Sequence, residues 1–358
     1  MSEKRTLGKT GFEVSTVGMG CWQLGGCWTS SDDTAAHKLA LHAYLDAGAN
    51  LLDTANVYGG DPGTPTFGWS EKTIGEVLQE RKAAGNTDRV YVCTKAGRAP
   101  TSAAPGDHGP ERYTYEALSE SLAASAARLQ VDVVDLLQVH CPPTECFRAA
   151  PGEGMWAALE KLKAEGRILH WGVSVETVEE ATLAIAIPTC ATVQIIFNLL
   201  RHKPAETVLA AAAAANVGTL IRVPYASGLL TGKVTKEYAA GLDAGDHRVF
   251  NVAGAGFDKG ETWSGLGEKL SEVALPAVDE LKKVHAASAA AAAPFGQFSL
   301  RWILDHPGTT AVIPGARSVE QVKGNLGAMA VAPLGEATHK ACAEVYEKLV
   351  KPVVHGSW

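Results

Sequence analysis

Short runs of β-branched and other apolar residues alternate with longer stretches in which apolar positions recur every three or four residues, from one end of the chain to the other. A strand buried on both faces needs an apolar side chain at nearly every position, whereas a surface helix needs only one apolar stripe. On that criterion strands are predicted at 16–19, 50–53, 90–94, 133–139, 168–173, 192–196, 219–223 and 310–313. Helices are predicted at 32–47, 70–81, 115–129, 155–164, 178–186, 205–214, 295–305 and 319–326, with a C-terminal helix near 337–349. Ser70 can cap its helix with Glu71 in the first turn, and Gly48 follows the helix ending at Ala47. Eight such strand–helix units in a row favour an α/β fold of the closed type, a (β/α)8 TIM barrel, expected to span 1–358 as one domain. An open doubly wound sheet is the alternative, but no Gly-x-Gly-x-x-Gly follows the first strand.

Three stretches depart from the alternation. Residues 4–16 read as an N-terminal β-hairpin turning around Lys9, Thr10 and Gly11, ahead of the barrel. Residues 59–69, rich in Gly and Pro, form a loop, and 234–263 form a long irregular insertion after the seventh strand. Loops of that length at the C-terminal face of a barrel are commonly lids or binding segments. The alanine-rich run 286–293 reads as the end of a helix stopped by Pro294, because Ala is the best helix former.

Bulk properties narrow the partners. The net charge is −7 and basic residues do not cluster, which argues against nucleic acid. No window approaches the ~18 uninterrupted apolar residues of a membrane helix, and the charged start lacks a secretory signal, so a cytoplasmic location is expected. The seven scattered cysteines have no metal-ligand spacing and are expected to be free thiols.

Four residues carry the chemistry. Asp53, Lys95 and His140 end short apolar runs, and Tyr58 lies in the loop just after the first of these. Strand C-terminal ends are where barrel enzymes carry their sites. A carboxylate, an ammonium, an imidazole and a phenol gathered there make a proton-handling site. A phenol titrates near ~10 and becomes a useful acid only when a neighbouring cation stabilises its phenolate.

The chain resembles the aldo-keto reductase superfamily over nearly its whole length. The resemblance is carried by the opening Leu7-Gly8-Lys9-Thr10-Gly11, the run from Asp53 to Gly59, Ser70-Glu71 with Gly75, Lys95 and His140. It continues through Gly172-Val173-Ser174, Val193-Gln194, the run 224–233, 300–304 and 313–321. It implies a barrel that binds NADPH and reduces an aldehyde or ketone. Tyr58 would then be the acid, Lys95 would supply the charge beside it, Asp53 would hold Lys95, and His140 would hydrogen-bond the carbonyl oxygen.

The cofactor expectation rests on the loops after strands seven and eight, where barrels commonly hold phosphates. There Pro224, Ser227, Gly228 and Leu229 face Gly315, Ser318 and Arg317, and Arg317 favours NADPH over NADH through charge-assisted bonds to an extra phosphate. By resemblance, Gln321 and Asn325 would face the adenine. Two positions depart from the family. Val175 stands where Asn often contacts the nicotinamide carboxamide, leaving that contact to Ser174 and Gln194. Arg222 stands where an aromatic ring commonly stacks on the nicotinamide. The loop 59–69 is also longer than the common spacing. Trp22, Trp28, Phe67 and Trp69 either line the substrate pocket or pack their loops down.

Two competing functions follow. One is an NADPH-dependent reductase. The other is an NADPH-binding redox-sensing regulatory subunit of the kind that keeps the same four residues. A metal-dependent barrel hydrolase would need His and carboxylate pairs that the sequence lacks, so no metal is expected.

Overall fold

The computed structural model describes residues 3–26, 33–60, 64, 66–98, 109–252 and 262–358. An antiparallel hairpin, β1 (Lys4–Thr6) and β2 (Glu13–Ser15), precedes the barrel. The barrel strands are β3 (Met19–Gly20), β4 (Leu51–Asp53), β5 (Tyr91–Ala96), β6 (Val134–His140), β7 (Ile168–Ser174), β8 (Thr192–Ile196), β9 (Gly218–Arg222) and β10 (Ala311–Val312). They pair in parallel in chain order. Bridges from Val17 to Val312 and from Gly20 to Gly315 join the first strand to the last, with Gly20 N–H donating to the Pro314 carbonyl at 3.0 Å. Only glycine fits at that seam, since a Cβ on Gly20 would lie 2.7 Å from the Ile313 carbonyl oxygen.

Alternation along the strands divides the interior into an apolar floor and a polar mouth. Leu51, Cys93, Leu136, Leu220, Ala311 and Ile313 point inward and pack with Leu7, Phe12 and Val14 of the hairpin region. The hairpin therefore plugs the N-terminal end of the barrel. Two residues further along the same faces come Asp53 after Leu51, Lys95 after Cys93 and Arg222 after Leu220; His140 follows Leu136 by four. The outward faces hold Val92, Leu137, Val139, Val173 and Val193, buried beneath the helices. At roughly 1.5–3 kcal/mol for each large apolar side chain taken from water, this two-sided core can carry the desolvation of a charged interior.

Several expectations need correcting. Ser70 does not cap: its helix runs Trp69–Ala83 with Gly68 at the cap position. Its hydroxyl donates instead to the Cys21 carbonyl and shares a 2.8 Å bond with Thr54, tying the helix to the ends of β3 and β4. The alanine run is mostly turn. The preceding helix, Leu275–Ala287, stops where the Ser288 hydroxyl donates to the His285 carbonyl and accepts from Ala290 N–H. A side chain that offers the backbone its own bonds outweighs the propensity of the alanines. The predicted helix at 205–214 divides into a 3-10 turn, Lys203–Glu206, and a helix, Val208–Ala214, because Thr207 between them is not helical. The insertion after β9 holds two short helices, Lys236–Ala240 and His247–Phe250; its residues 253–261 lie outside the described residues.

The C-terminal segment runs further than the predicted helix, from Glu336 to a final turn at His355–Ser357. It docks onto the chain just after β8. The His202 ring stacks on Tyr346 at 3.9 Å, and the Arg201 guanidinium lies 3.9 Å over the Trp358 ring. Burial, with His306 nearby, pushes the His202 imidazole down to about 3. Among the described residues no helix is long and apolar enough to cross a membrane.

Candidate active site

The four residues singled out in the sequence meet at the barrel mouth. Lys95 Nζ, with no exposed side-chain surface, lies 2.6 Å from Asp53 Oδ2, 2.9 Å from the Thr54 carbonyl and 3.3 Å from the Tyr58 hydroxyl. Adjacent strands deliver the pair: Asp53 ends β4, Lys95 is the last residue but one of β5, and Tyr58 follows β4 by one tight turn. Burial alone would push Lys95 down, but the Asp53 charge, Tyr58 and the Asp53 hydrogen bond outweigh it and hold the ammonium above its ordinary value. Asp53 is fixed from its other side by Gln194, whose amide donates to Oδ1 at 2.8 Å.

His140 ends β6 and presents its ring edge-on to Tyr58, with centroids 6.0 Å apart. Burial, then the charges of Arg98, Lys95 and Arg222, hold its pKa well below the ordinary imidazole value. The ring is therefore neutral at physiological pH, and its Nδ1 is buried without a protein partner. Tyr113, which sequence reasoning missed, donates to the His140 carbonyl at 3.0 Å and fixes that turn. Two further residues missed there are Arg98 and Cys141. Arg98 lies three positions beyond Lys95 and Cys141 directly follows His140, both past the last paired residue of their strands, so strand register does not mark them.

The residues expected to hold a cofactor line the opposite rim. Ser174, buried, ends β7, and Gln194, also buried, lies in the middle of β8. Arg222 ends β9 and reaches across to donate to the Val175 carbonyl at 3.1 Å. Beyond it, Pro224, Ser227, Gly228 and Leu229 form a loop in which Val223, Ala226, Ser227 and Gly228 all have positive φ, so the chain doubles back tightly. A Cβ on Gly228 would sit in ordinary contact with Arg248 and Val234, 3.6 and 3.7 Å away, so it is the φ of +102 rather than crowding that calls for glycine there. The facing loop has Gly315 and Arg317 exposed at the start of the helix Val319–Leu326. Ser318 caps that helix by accepting from Gln321 N–H, and Gln321 Oε1 accepts from Arg317 N–H. Asn325 joins the two loops, donating to the Gly315 carbonyl and accepting from the Tyr225 hydroxyl. A glycine cradle opposite a helix N-terminus with an exposed arginine suits a dinucleotide phosphate.

The insertion after β9 folds over this loop. Arg248, paired with Asp246 at 2.6 Å, has a guanidinium nitrogen 3.4 Å from the Ser227 carbonyl, and Trp263 N–H donates to the Ser227 hydroxyl. His247 packs against Trp22 at 5.0 Å, and Trp22 against Tyr58 at 6.0 Å. Trp22 thus stands beside the phenol. Phe67 and Trp69 instead lie under the Arg128 guanidinium and the Lys72 ammonium, on the helix side of their loop. Trp28 lies outside the described residues. Among the described residues no group of three or more His, Cys, Asp or Glu side chains could hold a metal ion.

A sequence model of the aldo/keto reductase family matches residues 16–347. The aldo-keto reductase YhdN of Bacillus subtilis (strain 168) is 30% identical over 321 residues, covering 90% of this chain and 87% of that protein. The glycerol dehydrogenase of Gluconobacter oxydans superimposes with a TM-score of 0.70 at 27% identity, covering 95% of this chain and 93% of that one. An aldo-keto reductase of Klebsiella pneumoniae, solved in complex with NADPH, superimposes with a TM-score of 0.66 at 21% identity, covering 97% and 96%. At that identity the last likeness speaks for the fold alone.

Proposed function

This chain belongs to the aldo/keto reductase family and is an oxidoreductase by that membership, from which we propose that it reduces an aldehyde or ketone to an alcohol with NADPH. The observation that carries the reading is the buried Lys95 ammonium between Asp53 and the Tyr58 hydroxyl. When bound, the reduced nicotinamide supplies a hydride to the carbonyl carbon. Tyr58 gives its hydroxyl proton to the carbonyl oxygen, and Lys95, 3.3 Å away, stabilises the phenolate left behind. Asp53 keeps Lys95 charged and in place. His140, neutral through burial and surrounding cations, is a hydrogen-bond donor for the same oxygen and holds it against Tyr58.

Ser174 and Gln194 would bind the nicotinamide amide, with Gln194 already committing one N–H to Asp53. The loop 224–229 and Gly315 with Arg317 would hold the phosphates, and Gln321 and Asn325 would border the adenine. The exposed Arg317 favours the cofactor with the additional phosphate. Trp22, beside Tyr58, would border the substrate.

The test is oxidation of NADPH with a panel of aldehydes and ketones, alongside the Tyr58→Phe variant. That variant should bind NADPH as the parent does and lose about 10²–10⁴ in turnover, the usual worth of a positioned acid. Full activity in Tyr58→Phe would contradict the assignment. Tight NADPH binding without turnover on any carbonyl would favour a regulatory subunit.

A further inference from the structure

Just beneath the His140 ring, the inward faces of β6 and β8 carry polar side chains that the proton transfer does not use. Leu136, Gln138 and His140 alternate along one face of β6, with Leu137 and Val139 turned to the helices. In register, Gln138 lies between Lys95 of β5 and Gly172 of β7, and Gly172 pairs in turn with Thr192 of β8. One layer higher, His140 pairs with Ser174, and Ser174 with Gln194. Gln138 and Thr192 have no exposed surface, and His140 is 5% exposed.

Four side-chain atoms of these residues are enclosed and find no hydrogen-bond partner among the described residues: Gln138 Nε2 and Oε1, Thr192 Oγ1 and His140 Nδ1. Buried polar groups are nearly always satisfied, by protein or by ordered water, so an enclosed amide with neither end bonded calls for a partner. Lys95 cannot serve Gln138, because its three N–H groups are directed to Asp53, the Thr54 carbonyl and Tyr58. The Gln194 amide is turned to Asp53. Gly172 makes the room: a Cβ there would collide with Thr192 Oγ1, so that hydroxyl fills the place of a side chain and reaches across β7 toward Gln138. Side chains two residues apart on one face leave their strand about 6.6 Å apart, twice the rise per residue. Gln138 and His140 make no direct bond across that gap, and a water bonded at about 2.8 Å on either side nearly spans it.

We propose that Gln138 and Thr192 hold an ordered water under His140, and that this water donates to His140 Nδ1 and so fixes the ring as the Nε2–H tautomer that hydrogen-bonds the carbonyl oxygen. This rests on the reductase reading above and names the groups that orient one of its residues. Gln138 is a positioning residue, acting on the substrate only through the water and the imidazole. A neutral imidazole has one donor and one acceptor nitrogen, and the bond made by one of them decides which is which. His140 is held neutral by burial and then by nearby cations. Its Nδ1 is the enclosed nitrogen, which leaves Nε2 toward the mouth, where the ring meets Tyr58 edge-on. One water satisfies three of the four atoms: it donates to His140 Nδ1 and to Gln138 Oε1 and accepts from the Thr192 hydroxyl, three bonds being usual for buried water. A second, on Gln138 Nε2, completes the set. Without a donor at Nδ1 the ring is free to take the Nδ1–H form, which turns a lone pair rather than a proton to the carbonyl oxygen.

The experiment pairs 15N NMR of histidine-labelled, NADP-bound protein with kcat/KM for 4-nitrobenzaldehyde and NADPH, the His140 signals being identified by their loss in His140→Asn. The parent should show Nε2 protonated and Nδ1 not. Gln138→Met keeps the length and removes both polar atoms. It should shift the ring toward Nδ1–H and lower kcat/KM at least about tenfold, part of the usual worth of an oxyanion donor, with the parent's NADPH affinity. Thr192→Val should act in the same direction, and Thr192→Ser should recover most of the loss. A crystal structure of the NADP-bound parent should show the water within about 3.2 Å of Gln138 and of His140 Nδ1. An Nδ1–H ring in the parent, an unchanged ring in Gln138→Met, or a crystal without that water would overturn the proposal. If no aldehyde is reduced, the reductase reading fails instead, and the NMR and crystal arms decide the water site alone. Should Gln138→Met not fold, the tautomer and the water in the parent decide it.

Discussion

Replacing Asp53 by Asn removes one charge and almost no volume, which makes it a clean probe of the buried pair. In the parent, both carboxylate oxygens accept: Oδ1 from Gln194 at 2.8 Å and Oδ2 from Lys95 at 2.6 Å. An asparagine can keep its oxygen toward Lys95 if Gln194 turns its amide and accepts from the new N–H, so both hydrogen bonds survive in kind. The ionic attraction does not survive. At 2.6 Å it amounts to about 6 kcal/mol for an effective dielectric of 20. Because Lys95 stays buried, the expected net loss of stability is about 3–5 kcal/mol, the usual cost of leaving one partner of a buried pair uncompensated. Thermal unfolding should report a melting temperature lower by roughly 4–7 °C.

The pH dependence distinguishes this cause from a packing defect. Lys95 is held above its ordinary value in the parent, so its contribution is complete below ~10.4 and is lost only as pH rises through the higher folded value. Without Asp53, burial dominates and pushes Lys95 below the ordinary value. The variant is then penalised at neutral pH and recovers as pH approaches ~10.4, where the unfolded chain also loses its proton. Denaturant titrations from pH 7.5 to 10 should therefore show the gap between parent and variant narrowing. A gap under about 1 kcal/mol at pH 7.5, or one that does not change with pH, would refute the electrostatic account.

Two further outcomes can be checked independently. The positive charge of Arg222 at the nicotinamide side should disfavour the cationic oxidised ring, so Arg222→Tyr is expected to tighten NADP relative to NADPH by roughly fivefold, about 1 kcal/mol; fluorescence titrations giving an unchanged ratio would sink the idea. His202, pushed down to about 3 by burial, resists protonation in the folded state while the unfolded imidazole takes a proton near ~6.5. Parent stability should therefore fall as pH drops from about 6.5 toward 4, and His202→Gln should fall less steeply by one proton's worth, a difference that urea titrations at several pH values would detect.

The barrel was legible because its strands are buried on both sides, and a run such as 133–139 has few other ways to satisfy its backbone and its side chains together. Asp53, Lys95 and His140 were legible for the same reason. Once a strand's inward face is known from Leu51, Cys93 and Leu136, positions two or four residues further on point into the mouth. Ser70 was misread because its cap role and its bond to the Cys21 carbonyl look alike in sequence; only the path of β3 beside the helix distinguishes them. The alanine run was misread because helix propensity is weak beside a hydroxyl that returns to the His285 carbonyl.

The rim is harder to read than the floor, and Arg98 and Cys141 give the reason. Each lies beyond the last ladder pair of its strand, where hydrogen-bond register no longer dictates direction. Cys141 takes φ +49, a left-handed turn that non-glycine residues rarely adopt, and that turn brings its sulfur to the two guanidiniums. A strand end can be extrapolated by counting in twos; a left-handed residue after it cannot. Asp53, Lys95 and His140 therefore sit where strand register predicts, whereas Tyr58, Arg98 and Cys141 depend on the turns that follow the strands.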